Sequence, residues 1–551
     1  MDPRLRRELK NDPATPFRAS TSHLHHTWAK TYFSRPELYI QPHSIEEIQK
    51  VVTLARKCRR RLVTVGCAHS PSDLTCTSSW MVNLDHYNKI LNVDKTSKIV
   101  VMEAGIRLHE LGRQLRAYGL ALPNIGSIDH QSIAGALATA THGSSVRHGT
   151  LAQSVLGLKI MLANGQTVSC SREHNLDLYR AALVSLGAIG IITEVTYQMT
   201  DVFNIEWLQS LHPLDEIIVD WEKGLWTENE FTRVWWLPYT KQAIKWTANK
   251  TDRQEHPPAA NAWSGMLGYH VYHVLLYISQ WVPGILPALE RFVTNVQYGF
   301  KNGLGGTAVQ DGHTGLLMNC LYSQFVNEWA IPLDRGPEAI NRMSAWLNRD
   351  DETARIPVSS KGIYVHAPIE VRVTDNSMTQ PRPHLDNTTP DGPTLYLNAT
   401  LYRPFGCDPP CRERYYEAFE YLMKELGGRP HWAKNFMTVT KKEFHNMYPE
   451  MGDWLRVRNE MDPGGMFVGD WHKRNLLPEG DKPSSLPLEE KEKMITSASA
   501  GGQKWSSHMP AKGLSPQTSE ESFEMMHGVE AERSILFQDS NDIGGEEGEE
   551  L

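Results

Sequence analysis

Two residues of opposite charge, Glu370 and Arg372, stand two positions apart in an apolar stretch of the chain. In a strand they share one face, while the apolar residues Ile369, Val371 and Val373 share the other. On an open surface such an ion pair would contribute little to stability. Because the apolar residues indicate that one face is covered, we instead expect the charged face to line a polar cavity. There a carboxylate can move a proton and a guanidinium can stabilise negative charge.

A second candidate site is the loop that leaves the predicted strand Leu62–Val65. Its side chains are small: Gly66, Cys67, Ala68, Ser70 and Ser72. Small side chains let backbone N–H groups approach a pyrophosphate, so the loop can form an anion nest. His69 lies in the same loop and has a nucleophilic ring nitrogen, although a lone histidine in a loop is more often structural.

A third candidate is the stretch Asn124–Ser145. Ser132 is a suitable N-cap for a helix made of alanine and glycine, which has almost no side-chain bulk. Close helix packing would explain such a helix. A buried apolar helix seldom ends in Thr-His-Gly-Ser-Ser, however, and polar groups beside small residues suit a flat cofactor laid against the backbone.

The spacing of apolar residues predicts the elements that hold these candidates. Over residues 35–201 we predict an α+β domain of short strands and helices, after an N-terminal extension at 1–34 without a clear period. A Ser44–Glu47 capping box begins the first predicted helix, and Asn164-Gly165 predicts a hairpin turn. Other predicted elements are strands at Leu38–Pro42, Ile99–Glu103, Val155–Leu162 and Ile189–Met199, and helices at Leu108–Tyr118 and Leu176–Leu186.

Residues 202–426 predict a second domain, a mainly antiparallel sheet with helices on one side. Residues 427–478 form a closing segment that we expect to return to the active site, and 479–551 a disordered acidic tail. Within the second domain, residues 266–289 are apolar and long enough to span a bilayer, but Pro283 and Pro287 oppose a spanning helix. We expect a buried or interfacial segment there, with peripheral or monotopic membrane contact as the alternative.

Composition excludes several classes of protein. The formal net charge of -8 gives no support to nucleic-acid binding. Seven irregularly spaced cysteines argue against a disulfide framework and a zinc site, so we predict no metal. The N-terminus has no apolar signal segment. We therefore expect an intracellular protein that is not secreted, with the mitochondrial outer membrane as a candidate location.

Several dispersed motifs, in the same order along the chain, resemble the aldonolactone oxidases of the vanillyl-alcohol-oxidase flavoprotein family. They are the two stretches around His69 and Gly135, together with Leu186–Val195, Arg233–Thr240, Pro430–Lys434 and Met461–Phe467. The resemblance extends from about Trp28 to Leu477. It implies a two-domain PCMH-type flavoprotein fold with an FAD domain and an antiparallel-sheet cap domain for the substrate.

The resemblance also implies roles for individual residues. His69 would carry FAD covalently on its 8α-methyl group, although Ala68 stands where the family usually has Gly. Gly126 matches the position where oxidases keep Gly and a related plant dehydrogenase has Ala, and a missing side chain leaves a path for O2. Glu370, Arg372 and Lys434 would form the lactone pocket, with His431 and Trp432 nearby. The expected FAD-binding set is Gly66, Cys67, Ala68, His69, Ser70, Ser72, Gly126, Ser127, Ser132, Gly135, Thr139, His142, Gly143 and Ile191.

The implied activity is an FAD-dependent oxidation of an aldono-1,4-lactone by O2, which yields an ascorbate-type enediol lactone and H2O2. D-Arabinono-1,4-lactone is favoured as the substrate over L-galactono or L-gulono lactones. Two alternatives stay open at this point. One is a dehydrogenase that passes electrons to cytochrome c, and the other is a flavin-binding, membrane-associated scaffold without catalysis.

Overall fold

The computed structural model describes residues 2–259, 265–299, 301–318, 320–366 and 368–478, apart from the side chain of residue 304. These residues belong to one compact unit, Met1–Ser497. A second unit, Ala498–Leu551, lies outside the described residues, and so does the whole predicted acidic tail at 479–551.

The described part of the chain contains both helices and strands. The α-helices are α1 Pro3–Asn11, α2 Ile45–Cys58, α3 Leu108–Arg116, α4 Ile133–Ala138, α5 Leu176–Leu183, α6 Leu214–Asp220, α7 Met266–Ile278, α8 Leu286–Tyr298, α9 Gly312–Leu316, α10 Gly336–Leu347, α11 Asp351–Ala354, α12 Arg412–Glu425, α13 Lys441–Met447, α14 Met451–Met461 and α15 Asp470–Asn475. The strands are β1 Ala19–Ser20, β2 His25–His26, β3 Phe33–Ser34, β4 Leu38–Ile40, β5 Leu62–Val65, β6 Trp80–Asn83, β7 Ile90–Asp94, β8 Ile99–Glu103, β9 Leu120–Ala121, β10 Val155–Met161, β11 Thr167–Ser171, β12 Ile191–Gln198, β13 Thr200–Asp201, β14 Asn204–Pro213, β15 Phe231–Leu237, β16 Gln242–Thr251, β17 Gly303–Asp311, β18 Gln324–Pro332, β19 Ile369–Thr374, β20 Thr394–Tyr402 and β21 Arg429–Pro430.

The first two hundred residues fold as the predicted α+β domain. A four-stranded sheet has the order β1-β4-β6-β5, and a five-stranded sheet has the order β11-β10-β12-β8-β7. The predicted hairpin at Asn164-Gly165 joins β10 to β11, and Gly165 takes the positive φ of 84° that this turn needs. At the start of α2, Ser44 caps the Glu47 N–H, but the Glu47 carboxylate accepts from the N–H of His43 and does not complete the predicted box.

The cap domain is built on an eight-stranded antiparallel sheet, in the order β17-β14-β16-β15-β19-β20-β18-β21. Strands β18 and β20 are buried along almost their whole length. On one face α10 and α12 pack against the sheet in a separate apolar core. The FAD domain docks on the other face. There the N–H of Ser145 donates to the carbonyl of Val373. Ser144 Oγ donates to the carbonyl of Thr232 and accepts from the N–H of Val373.

The N-terminal extension differs from the expectation, whereas the closing segment returns to the FAD domain. Residues 1–34 contain α1, which packs on α2 and buries Leu5 in the main core. A helix of nine residues is stabilised mainly by tertiary packing and not by its own propensity. The local sequence therefore indicates it only weakly. The segment after 427 contributes β21 to the cap sheet and then joins the core of the FAD domain through Trp432, Phe467 and Trp471.

The apolar segment 266–289 forms α7, a turn at Pro283–Ile285 and the start of α8. We call α7, this turn and α8 the helical hairpin. Leu276, Leu286 and Leu289 pack inward against Tyr322. Outward, Leu267, Trp281 and Val282 are exposed by 71%, 66% and 53%. Within the described ranges, no helix is both long and apolar enough to cross a bilayer.

Candidate active site

A deep cleft in the FAD domain collects the small residues of the first two motifs. One wall is the loop after β5, and another is α4. Of the residues expected to bind FAD, those that line it are Gly66, Cys67, Ala68, His69, Ser70, Ser132, Gly135 and Thr139.

The wall made by α4 is flat because its residues have little side chain. Ser132 caps the helix by accepting from the Gly135 N–H at 3.3 Å. Gly135 is exposed to the cleft, whereas its neighbours Ala136 and Leu137 are buried in the core. A Cβ atom on Gly66, in the opposite loop, would lie 2.8 Å from Ser132 Oγ, so the two walls approach closely at this point.

His69 sits in the cleft wall, where its ring stacks on Trp28 with centroids 4.5 Å apart. Burial, followed by the positive charge of Lys434, lowers the pKa of His69 to about 3. The imidazole is therefore neutral at pH 7 and keeps a nucleophilic nitrogen. Ala68 takes a φ of 53°, in the left-handed region that favours glycine, and its carbonyl accepts from the Trp28 N–H at 2.8 Å.

Several other residues of this cleft do not belong to the expected FAD-binding set. Leu186, Gly187 and Gly190 line it from the turn before β12, and Phe467 and His472 line it from the closing segment. The motif Leu186–Val195 contains the first three of these residues, and the motif Met461–Phe467 contains Phe467. The sequence predicts that the closing segment returns to the active site, but not which of its residues line the cleft.

Beside the cleft, the cap sheet brings charged side chains into one row. The register pairs Trp235 with Glu370, Glu370 with Asn398, and Asn398 with Glu328. Residues paired directly across antiparallel strands point to the same face. This row therefore crosses β15, β19, β20 and β18 on the face that the FAD domain covers.

Arg372 is the centre of the charged cluster. Its Nη2 donates to Glu328 Oε1, its Nε lies 3.4 Å from Glu370 Oε2, and its Nη1 donates to Ser127 Oγ at 3.2 Å. The Glu370 side chain keeps 16% of its surface exposed, whereas that of Glu328 is fully buried. Glu370 and Arg372 thus lie together in this cluster, and the polar cavity expected beside them stays a prediction.

Lys434 reaches the same cluster from the segment after β21. Its Nζ is 3.6 Å from Glu328 Oε2, and 24% of its side chain is exposed. Although burial opposes ionisation, Arg372 and Lys434 hold the pKa of Glu328 well below its usual range. The cluster thus places two cations on one ionised carboxylate. It also has a direct electrostatic link to the cleft, since Lys434 depresses the pKa of His69.

Two histidines complete the surroundings of Glu328. His142 Nε2 lies 3.6 Å from Glu328 Oε1, and His142 stacks on Tyr396 with centroids 3.6 Å apart. Burial lowers the pKa of His142 and of His431, so both rings are neutral at pH 7. One ring nitrogen each of His142 and His431 and one carboxylate oxygen of Glu328, atoms of the kind that ligate metals, lie within 4.8 Å of one another.

Six residues expected to bind FAD lie outside the cleft wall. Ser127 and His142 belong to the charged cluster, and Gly126 lies next to them because a Cβ on it would be 2.9 Å from Thr141 Cγ2. Gly143 packs against Asn124, and Ser72 is buried behind the loop. Ile191 is buried in β12, where its neighbour Ile192 lines the cleft instead.

Glu328 and Asn398 are the main site residues that sequence reasoning missed. A signal for Glu328 existed, since it is a carboxylate in the largely apolar strand Phe325–Ile331. Almost no charged residue is buried without a partner, so such a carboxylate indicates a buried cation nearby. Identifying Arg372 and Lys434 as those cations requires the strand order, which the sequence does not show locally.

The model of the D-arabinono-1,4-lactone oxidase family matches residues 195–475, and the FAD binding domain model matches residues 36–171. A Yarrowia lipolytica D-arabinono-1,4-lactone oxidase is 39% identical, with 83% of this chain and 98% of that protein covered. The chain belongs to the D-arabinono-1,4-lactone oxidase family.

Other members of the D-arabinono-1,4-lactone oxidase family agree with this assignment. The Saccharomyces cerevisiae D-arabinono-1,4-lactone oxidase is 36% identical over 83% of this chain and 96% of its own length. A Neurospora crassa protein that carries the same name provisionally is 52% identical over 87% of this chain and 91% of its own.

Solved structures confirm the vanillyl-alcohol-oxidase fold expected for the family. Cholesterol oxidase from Brevibacterium sterolicum superposes with a TM-score of 0.70 at 16% identity, over 85% of this chain and 99% of that chain. Xylooligosaccharide oxidase from Myceliophthora thermophila C1, in complex with xylobiose, gives a TM-score of 0.61 at 15% identity, over 84% and 98%. At these identities the likeness concerns the fold alone.

Proposed function

We propose that the chain is an FAD-dependent oxidase that converts D-arabinono-1,4-lactone and O2 to dehydro-D-arabinono-1,4-lactone, the enediol D-erythroascorbate, and H2O2. The observation that carries the proposal is the convergence of Glu370, Arg372 and Lys434 around Glu328, next to a cleft walled by glycine, alanine and backbone. Two cations and a partly exposed carboxylate suit a neutral polyhydroxylated ring that loses a proton.

FAD fits the cleft on the evidence of its walls. The exposed Gly135 in an otherwise buried helix leaves room for a flat ring system, and the loop of residues 66–70 presents backbone to it. We propose that His69 also carries the FAD covalently. Its neutral ring nitrogen and its place in the cleft wall support this, and the strained backbone at Ala68 shows that the loop holds its shape without the glycine usual in the family.

When bound, FAD supplies the two-electron acceptor that takes hydrogen from the lactone C2 and then reduces O2. The side chains of the cluster handle the proton and the charge. Arg372 and Lys434 stabilise negative charge on the C2 oxygen as its proton leaves. Glu328 is a weak base because its pKa is low, so the partly exposed Glu370 is the better group to orient the hydroxyls or take the proton.

Oxygen uptake by the purified holoenzyme tests the proposal. A panel of aldono-1,4-lactones, with H2O2 assayed in parallel, should give uptake with matching peroxide and a preference for D-arabinono-1,4-lactone. Flavin bleaching without uptake would replace the oxidase by a dehydrogenase. No bleaching with any lactone would end the catalytic proposal, although not the family assignment. Precipitation with acid should leave yellow flavin in the pellet, and flavin in the supernatant would end the covalent proposal.

We also propose that the helical hairpin contacts an intracellular membrane surface, with the mitochondrial outer membrane as the candidate. Exposed Leu267, Trp281 and Val282 support this, because solvent rarely meets so many large apolar side chains on one small element. The double variant Trp281→Ser, Val282→Ser should lose sedimentation with liposomes, whereas Met378→Ser, at an 85% exposed position elsewhere, should keep it. Equal sedimentation of both variants would contradict the contact, and cell fractionation reports the membrane.

A further inference from the structure

Glu328 joins the two cations of the proposed site although it is itself beyond the reach of solvent. Its Oε1 accepts from Arg372 Nη2, and its Oε2 faces Lys434 Nζ at 3.6 Å. Oε2 has no hydrogen-bond partner, and neither has His142 Nε2, which lies 3.6 Å from Oε1. A fully buried carboxylate with one free oxygen, in contact with two cations, is costly to keep unless those contacts are used.

We infer that Glu328 is a positioning residue that holds Arg372 and Lys434 together and, as a built-in anion, reserves them for an uncharged lactone against the open-chain aldonate. This inference rests on the proposed function, because it concerns the ligand of the same site.

The chemistry of the ligand makes this selection necessary. A lactone opens in water to its aldonate, which has the same hydroxyl stereochemistry and a carboxylate in place of the ester. An Arg–Lys pair is a good carboxylate site, since charge-assisted hydrogen bonds to carboxylates are the strong ones. Glu328 already occupies that position, and a second carboxylate would meet a like charge where water is scarce.

The wider charge of the site increases the importance of Glu328. Arg233 lies on the same face of β15, is buried, and interacts electrostatically with Glu370. Together with Arg372 and Lys434 it makes three cations near two carboxylates. Without Glu328 only Glu370 would oppose them, and the site would attract anions. The same cations disfavour a metal ion in the group formed by His142, Glu328 and His431.

The test is the binding of D-arabinonate to the holoenzyme, measured by calorimetry and by the perturbation of the flavin absorbance. Glu328→Gln should bind D-arabinonate at least tenfold more tightly than the native protein, while its reduction by the lactone slows. Glu230→Gln is the matched control, because Glu230 also lies between a histidine and a lysine, His148 and Lys250, but outside the site. D-Arabinonate that binds Glu328→Gln no more tightly than the native protein overturns the inference.

Two further variants keep the test decisive. Glu328→Asp retains the charge and should bind D-arabinonate as weakly as the native protein, so tighter binding there would also contradict the inference. If Glu328→Gln does not retain flavin, Glu328→Ser leaves room for water beside Arg372, and the same tenfold gain is expected. Failure of the proposed function shows itself differently, as a native flavin that no lactone reduces.

Discussion

The cleft wall and the charged cluster beside it are built in opposite ways. The cleft depends on missing side chains, with Gly66, Gly135 and the backbone of the loop after β5 forming its surface. The cluster depends on side chains that carry charge, with Glu328, Arg372 and Lys434 in contact. The glycine-lined walls of the first come from two continuous stretches of chain, whereas the second is assembled from two strands and the segment after a third.

The two regions should therefore be sensitive to different kinds of substitution. A cleft that binds through backbone approach is damaged when a side chain is added. A cluster that works through electrostatics is damaged when a charge is removed. The two kinds of substitution should therefore separate flavin binding from flavin reduction.

The largest expected effect is on the cluster. Lys434→Ala removes one of the two cations on Glu328, and we expect the anaerobic reduction of the flavin by lactone to slow by about 100-fold to 1000-fold. The flavin content and spectrum should stay native, because Lys434 does not line the cleft. Stopped-flow absorbance measures both. Lys424→Ala is the control, since Lys424 pairs with Glu443 away from the site. A native reduction rate in Lys434→Ala would remove it from the chemistry.

The reverse effect is expected in the cleft. Gly135→Val adds a branched side chain to the exposed face of α4, and we expect most of the purified protein to lack FAD. Gly452→Val tests the same substitution on α14, where a Cβ atom meets nothing within 4 Å. That control should keep its flavin. The absorbance ratio of flavin to protein reports the outcome, and a fully loaded Gly135→Val would show that α4 is not a wall of the flavin site.

The contrast between the two regions also explains how much the sequence predicts. The loop after β5 and α4 are local motifs, so the cap at Ser132, the small residues and the place of His69 are all predictable. Glu370 and Arg372 are predictable as a pair because they share one strand. Glu328 is not, since its partners depend on β18 lying next to β20 in the sheet. Local patterns likewise miss α1, which tertiary packing stabilises.

Gly126 lies between the two regions and is expected to have an intermediate effect. The methyl group of Gly126→Ala would lie 2.9 Å from Thr141 Cγ2, so it either blocks the path of O2 or displaces Thr141. We expect the reoxidation of the reduced flavin by O2 to slow by about tenfold to 100-fold, or about 1.4 to 2.7 kcal/mol in the barrier. Reduction by lactone should change little.

A second substitution distinguishes the two causes. Thr141→Ser removes Cγ2, so the double variant Gly126→Ala, Thr141→Ser has room for the methyl group. If the methyl group blocks O2, reoxidation in the double variant stays slow. Recovery of the native rate would instead show that the displaced Thr141 is responsible, and that Gly126 does not determine the path of O2.

The smallest expected effect concerns the backbone of the loop after β5. Ala68 has a φ of 53°, which costs an alanine about 1 kcal/mol more than a glycine. Ala68→Gly should therefore raise the free energy of unfolding by about 1 kcal/mol while the flavin stays attached. Ala140→Gly is the matched control, because Ala140 has a φ of 59° but does not line the cleft. Chemical denaturation should show a gain in both variants. If Ala68→Gly alone loses stability, contacts of the Ala68 methyl group stabilise the loop. Backbone strain at this position then does not lower the free energy of unfolding.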